Sequence, residues 1–580
     1  MLRLLALLIP LMAAAPVMAQ QASDVVVPEG ASGLAEKKAV TAKKWMVTAA
    51  NPTAAEAGAE ILRAGGNAID ALVAVQLVLG LVEPQSSGLG GGAFLVYWDA
   101  NEKRLTTFDG RETAPAEATP TLFQDEKGEP LKFADAVVGG RSVGTPGTPR
   151  LLETVHRRYG RLAWGRMFLR PIQLAEGGFP VPQRLAALVA AEGDKLKRYD
   201  GPAEYFFDAS GAPLAAGALL KNPEYGQTLR LLAEEGADAF YEGPIAADIV
   251  ATVRGAEGNP GVLSLDDLRN YRVKEREAVC APYRTYDVCG MGPPSSGALT
   301  VGQILGLLEP FDLTAMDSNS AEAWQLIGDA SRLAFADRDR YMADSDFVPM
   351  PVKGLVERDY LRDRSGALKP GQRLTDAKPG NPKWTHASLW ADDEALELPS
   401  TSHISIVDGE GNVVAMTTTI EAGFGSRLMV HGFLLNNELT DFSFKTHANG
   451  VPIANRVEPG KRPRSSMSPT IVMREGAPYM SVGSPGGSQI IGYVAKTLIA
   501  HLDWGMDIQA AISLPNILSR TGPMEIEWGT QAEALKAPLE AMGYEVRAAE
   551  MTSGLQGIVI TPEGLVGGAD PRREGLAVGE

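Results

Sequence analysis

The sequence predicts a mixed body of the α/β or α+β type, on three observations. Up to about residue 342 helical patterns interleave with short β-prone runs. A stretch from Leu368 to Ser400 has four prolines and no sustained periodicity. Beyond Thr401 the style changes to alternating strands joined by Gly/Asn turns, as in "SIVDGEGNVVAMTTT". With 580 residues, 45% hydrophobic and 22% charged, the chain can bury one large core or two domains.

The elements follow in order. "MLRLLALLIPLMAAAPVMAQQ" has one positive charge (Arg3), an apolar stretch from Leu4 to Ala15 and a small-residue site at Val17-Met18-Ala19, so residues 1–19 read as a signal peptide. A membrane anchor fits less well, because the run is short and broken by Pro10 and Pro16. The mature chain is expected from Gln20, in a periplasm or outside the cell. "NPTAAEAGAEILRAGGNAIDALVAVQLVLGLVEP" (51–84) predicts two helices separated by Gly65-Gly66-Asn67, the second a buried one over Ala68 to Val82. Asp70 and Gln76 and its short length exclude a membrane span. "SSGLGGGAFLVYW" (86–98) predicts a glycine loop running into a strand. Helices are expected in "RLLETVHRRYG", "YGQTLRLLAEEG" and "SAEAWQLIGDASRLAFADRDRYM". "VCAPYRTYDVC" places Cys280 and Cys289 on two β-prone runs around a turn, which leaves open one hairpin disulfide or two unbonded thiols. "APYMSVGSP" and "LQGIVITPEGLVGGAD" complete the strands.

The formal charge of −17, from 54 basic and 71 acidic residues, argues against a general nucleic-acid or anionic-membrane binder. Several familiar patterns fail on context. "GRSVG" (140–144) has the spacing of a serine-hydrolase elbow, but Pro146 and Pro149 follow where a helix should start. "GLGGGA" (88–93) precedes a strand instead of opening a helix, so it is no dinucleotide loop. The six histidines (156, 386, 403, 431, 447 and 501) show no metal-ligand spacing and the cysteines no C-x-x-C, so no metal site is expected. His403, at a predicted strand edge beside Thr401, reads as structural.

"ELPSTSHISIV" puts Thr401 at the junction of the proline-rich stretch and a strand. A threonine hydroxyl becomes a useful nucleophile when a base lies beside it, and its own α-amine can serve once the preceding bond is cut. Taken alone the position reads as the start of an ordinary strand. Read with "TTTIEAGFGS" (417–426), "LLNNELTDFS" (434–443), "KRPRSSMSPTIV" (461–472) and "VGSPGGSQII" (482–491), it resembles, in order, the small subunit of the γ-glutamyltranspeptidase family. "SSGLGGGAFLVYW", "FDGRETAP" and "PPSSGALT" resemble the family's large subunit, and "GADPRREG" its C-terminal end.

The resemblance implies an N-terminal-nucleophile hydrolase with a four-layer αββα sandwich. Its large subunit would be residues 20–400 and its small subunit 401–580, cut from one precursor at Ser400-Thr401. It implies Thr401 as nucleophile and Thr419 as its hydrogen-bond partner, with Gly486 and Gly487 beside the tetrahedral intermediate, where glycine lets N–H groups approach an oxyanion. Arg111, Ser465 and Ser466 would hold a donor's α-carboxylate, and Glu438 and Asp441 its α-ammonium. The chain departs from the family's usual asparagine at Glu421, and its segment from Asp441 to Ser465 is short and lacks tyrosine, so the lid there is expected to be reduced. The implied activity needs no cofactor. It transfers a γ-glutamyl group from glutathione or a related compound to water, an amino acid or a peptide. Two alternatives stand beside it: a glutaryl or cephalosporin-type acylase of the same family, and a non-catalytic periplasmic binding protein.

Overall fold

Strands Met46–Ala49, Gly92–Asp99, Ser402–Val407 and Val413–Thr419 are buried along their whole length. A strand covered on both faces loses the strict apolar–polar alternation and reads as a nearly continuous apolar run. The computed structural model, which describes residues 31–385, 389–398 and 400–580, shows why these strands are covered twice. They lie inside a seven-stranded antiparallel sheet ordered Leu576–Gly579, Met46–Ala49, Ser402–Val407, Val413–Thr419, Gly92–Asp99, Arg104–Gly110 and Lys274–Arg276. A second seven-stranded antiparallel sheet runs Val40–Ala42, Gly564–Ala569, Gln556–Thr561, Ala477–Gly483, Thr470–Arg474, Tyr286–Gly290 and Val279–Tyr283.

Met46, Val96, Trp98, Val413, Ile471 and Ile558 fill the space between the sheets. Helices Pro52–Arg63 and Ala68–Val82 cover the outer face of the first sheet through Leu95, Tyr97, Ile404 and Ile406. Helices Gly297–Leu308, Ala321–Tyr341 and Ile490–Leu502 cover the second through Val472, Met480 and Val482. The result is the expected αββα sandwich. Each sheet contains strands from both sides of the 400/401 bond.

Ala68–Val82 is buried at every position, and its start is fixed by a capping box in which Asn67 and Asp70 satisfy each other's backbone. Among the described residues no helix is long and apolar enough to cross a membrane. The expected signal peptide, its cleavage to Gln20, and His386 lie outside the described residues. Two details differ from the sequence reading. The strand after the proline-rich stretch begins at Ser402, one residue past Thr401. It also pairs on both sides, so His403 is not at an edge; it is fully buried, bonded to the Thr417 and Ser405 hydroxyls at 2.9 and 3.1 Å, and its pKa is pushed down to about 3 by burial. The Cys280 and Cys289 sulfurs are bonded, across directly opposed positions of neighbouring strands.

Candidate active site

The hairpin Ser402–Val407/Val413–Thr419 sets the register of the site. Ser402 faces Thr418, which brings Thr419 alongside Thr401. The Thr401 hydroxyl donates to the carbonyl of Ser400 and lies 3.4 Å from the Thr419 hydroxyl. Thr419 in turn donates to the same Ser400 carbonyl at 2.8 Å and accepts from the Glu421 amide at 2.8 Å. Two hydroxyls therefore converge on one peptide carbonyl, and the second is held by a backbone donor. The loop after Ala68–Val82 supports them: Gln85 O accepts from the Ser400 hydroxyl at 2.9 Å, and Ser86 O from the Ile420 amide. Arg573, from "GADPRREG", donates to the Thr401 carbonyl at 3.3 Å.

Gly486 and Gly487 link strand Ala477–Gly483 to helix Ile490–Leu502 with φ of 138° and 55°. These are backbone conformations that favour glycine. A Cβ on Gly487 would also stand 2.6 Å from the carbonyl oxygens of Glu397 and Leu398.

Arg111 follows strand Arg104–Gly110. Glu438 and Asp441 sit on a single 3₁₀ turn, where residues three apart point the same way, and both are paired with the Arg111 guanidinium, Asp441 at 2.5 Å. That turn is anchored by Asn436, which accepts from the Glu438 and Gly144 amides and donates to the Gly90 and Gly144 carbonyls. Glu421, in a left-handed backbone conformation at φ 75°, accepts from Asn437 Nδ2 at 2.5 Å and from the Leu398 amide at 3.1 Å.

Four buried acids, Glu112, Glu421, Glu438 and Asp441, thus surround one guanidinium. Burial pushes Glu421 and Glu112 up to about 7, with Arg111 opposing the rise in both. Burial also raises Glu438 and Asp441 well above the usual carboxylate range, and their like-charged neighbours add to it. Oε2 of Glu438 and Oδ1 of Asp441 accept no hydrogen bond from any described residue. A cationic group is the chemical complement of such a cluster.

Ser465 and Ser466 follow Arg464, whose carbonyl accepts from Arg111 at 2.9 Å, and are backed by "PPSSG": the Ser296 amide and hydroxyl both donate to Ser465 O at 2.7 Å, and the Ser295 hydroxyl to Met467 O at 2.6 Å. All the predicted site residues except Gly486 line one small cavity of about 20 Å³; Gly486 lines an adjoining groove of about 600 Å³. Sequence reasoning missed Glu397, which also lines the small cavity, and Glu112, Arg338, Arg464 and Arg573 around it. Glu112, Glu397, Arg464 and Arg573 fall inside quoted motifs, so the motifs held a signal. Ser142 of "GRSVG" is buried and donates to the Val137 and Gly139 carbonyls, which leaves it no nucleophilic role.

An αββα sandwich with a threonine hydroxyl at the head of a central strand defines an N-terminal-nucleophile hydrolase. Residues 54–580 match the family model described as Gamma-glutamyltranspeptidase, and the chain belongs to that family. It is therefore a member of a catalytic family, and the binding-protein alternative is set aside. It is 37% identical over 556 residues to a protein of Bacillus subtilis (strain 168) named glutathione hydrolase proenzyme, covering 94% of this chain and 92% of that one. It is 32% identical over 565 residues to the acylase ACY 1 proenzyme of Pseudomonas sp. (strain SE83), covering 96% and 97%. Among solved structures, the cephalosporin acylase from Bacillus halodurans superposes with a TM-score of 0.83 at 26% identity, over 95% of this chain and 99% of that one.

Proposed function

We propose that this chain is a secreted precursor that cuts itself at Ser400-Thr401 and then acts as a γ-glutamyltransferase and glutathione hydrolase. The convergence of the Thr401 and Thr419 hydroxyls on the Ser400 carbonyl carries this reading. Thr401 Oγ adds to the Ser400 carbonyl carbon, and Thr419 donates to the oxygen as it becomes negative. The C–N bond breaks and the nitrogen takes the hydroxyl proton, which frees the Thr401 α-amine and leaves an ester on Oγ. Water hydrolyses that ester, which frees the Thr401 hydroxyl and gives chains 20–400 and 401–580. The glutathione hydrolase and ACY 1 acylase relatives are both named proenzymes, which agrees with such processing. The two chains stay together as a heterodimer because both sheets draw strands from each.

In the mature enzyme the α-amine takes the Thr401 hydroxyl proton while Oγ attacks the donor's γ-carbonyl. The leaving amine departs protonated, and water or an amino acid or peptide amine resolves the acyl-enzyme. Backbone N–H groups at Gly486-Gly487 receive the oxyanion. Glu421, Glu438 and Asp441 take the donor's ammonium, and Arg111 with Ser465 and Ser466 faces its carboxylate.

The acylase reading has its own support in the two acylase relatives and in Glu421. The acid cluster favours γ-glutamyl donors, since a glutaryl group brings no cation and would leave buried carboxylates facing a methylene. Steady-state assays of matched γ-glutamyl and glutaryl anilides decide it. The γ-glutamyl compound is expected to be preferred, also in Glu421→Asn, because an amide oxygen still accepts from an ammonium. Equal or faster turnover of the glutaryl compound would promote the acylase reading.

A further inference from the structure

Glu397 stands four residues before Thr401, on the segment that the proposed cut would turn into a chain end. Its carboxylate is buried and held by two guanidinium groups, Arg338 and Arg464, the latter with Nε at 3.3 Å. Although burial pushes the other way, these two arginines hold the carboxyl below its ordinary range, and the Ser466 hydroxyl bonds to it as well. Arg338, from helix Ala321–Tyr341, also donates to Ser466 Oγ at 2.8 Å and to Ser296 Oγ at 2.9 Å. Both arginine side chains are buried, at 3% and 0% exposure.

The same segment blocks the reaction centre. The carbonyls of Glu397 and Leu398 press on Gly487, and the Leu398 amide occupies Glu421. The space left beside Thr401 is about 20 Å³, room for about one water and too little for a γ-glutamyl donor. A donor can enter only when this segment leaves, and Glu397 leaves with it. Asp393, 3.1 Å from Arg464, is tied to the body by Asn455 Nδ2 at 2.9 Å and by its own amide to Asp339 O. Asp339 lies 3.0 Å from Arg338 and 3.8 Å from Arg464. When Glu397 leaves, the two guanidinium groups and the Ser466 hydroxyl lose the carboxylate they now share, and another carboxylate can take its place. Planar guanidinium donors and a hydroxyl suit a carboxylate. Arg111 is less free to supply this contact alone: of the five N–H groups of an arginine, four are engaged by Pro463 O, Glu438, Asp441 and Arg464 O.

We infer that Arg338 and Arg464 build a carboxylate site beside Ser466, filled by Glu397 in the precursor and by the donor's α-carboxylate after cleavage, which makes Arg464 a specificity-determining residue. The inference rests on the γ-glutamyl reading above. Its test compares mature wild-type enzyme and Arg464→Leu on γ-glutamyl p-nitroanilide and on γ-aminobutyryl p-nitroanilide, which lacks only the α-carboxylate. For Arg464→Leu the KM of the γ-glutamyl compound is expected to rise about tenfold or more, with kcat within about threefold, as for a lost charge-assisted contact. The kcat/KM of the γ-aminobutyryl compound should stay within about twofold of wild type, as uniform loss of one contact predicts for a donor that never made it. Should Arg464→Leu fail to accumulate, Arg464→Lys keeps the cation without the planar fork and should show the same split at roughly threefold to tenfold. Equal loss on both donors would make Arg464 structural, and an unchanged γ-glutamyl KM would leave the carboxylate to other residues; either overturns the inference while the proposed function stands. Wild-type enzyme inactive on γ-glutamyl p-nitroanilide would remove both.

Discussion

Replacing Thr419 by valine keeps the side-chain shape and removes one hydroxyl, which in this structure has two partners. It donates to the Ser400 carbonyl at 2.8 Å and accepts from the Glu421 amide at 2.8 Å. The first bond strengthens as the carbonyl oxygen gains charge during attack by Thr401. Loss of one such preorganised donor costs about 2.7–4 kcal/mol of barrier, or roughly 10²–10³ in rate. The second leaves the buried Glu421 N–H without its acceptor, a stability cost of about 1–3 kcal/mol that does not enter the maturation rate directly. Thr419→Val precursor should therefore fold and convert to two chains about a hundredfold more slowly than wild type, whereas Thr419→Ser, which retains the hydroxyl, should mature within about tenfold. Purified precursor followed by denaturing electrophoresis over time gives both rates. Maturation of Thr419→Val at the wild-type rate would refute the assignment of the Ser400 oxygen to Thr419.

Arg111→Lys keeps the charge but loses the planar fork, so kcat/KM for a γ-glutamyl donor should fall about tenfold or more in initial-rate assays while maturation continues. Glu421, lifted to about 7 by burial, holds a proton in the empty site below that pH. An incoming ammonium favours its ionised form, so donor KM should fall as pH rises through about 7, and Glu421→Gln should flatten that limb of the pH profile. Cys280 and Cys289 close a short loop, with a sequence separation of 9, so the Cys280→Ser/Cys289→Ser double variant should lose about 3 kcal/mol in calorimetric stability while its kcat stays at the wild-type value.

Periodicity and turn residues made much of the fold legible. The apolar run after Gly65-Gly66-Asn67 announces the buried helix, and the Gly/Asn turn in "SIVDGEGNVV" announces the hairpin that carries Thr401 and Thr419. The resemblance placed the hydroxyls, acids and glycines, and all of these but Gly486 line one cavity. Glu397 stayed unassigned because it sits in a stretch without periodicity, and its partners come from a helix 59 residues earlier and a loop 67 residues later. Arg338, in "FADRDR", reads locally as one more charge on a solvated helix face; only packing against the serine loop buries it. The left-handed backbone at Glu421 was equally hidden, because asparagine and glycine, not glutamate, are the residues that advertise such a position.

Every step proposed here depends on Thr401 becoming a chain start. N-terminal sequencing and intact mass of the purified protein, run beside Thr401→Ala, test this most directly. The wild type should give a small chain beginning at Thr401 and ending at Glu580, with a large chain ending at Ser400, and Thr401→Ala should remain a single chain. A small chain beginning at another residue, an active protein that stays uncut, or efficient cleavage of Thr401→Ala would contradict the account.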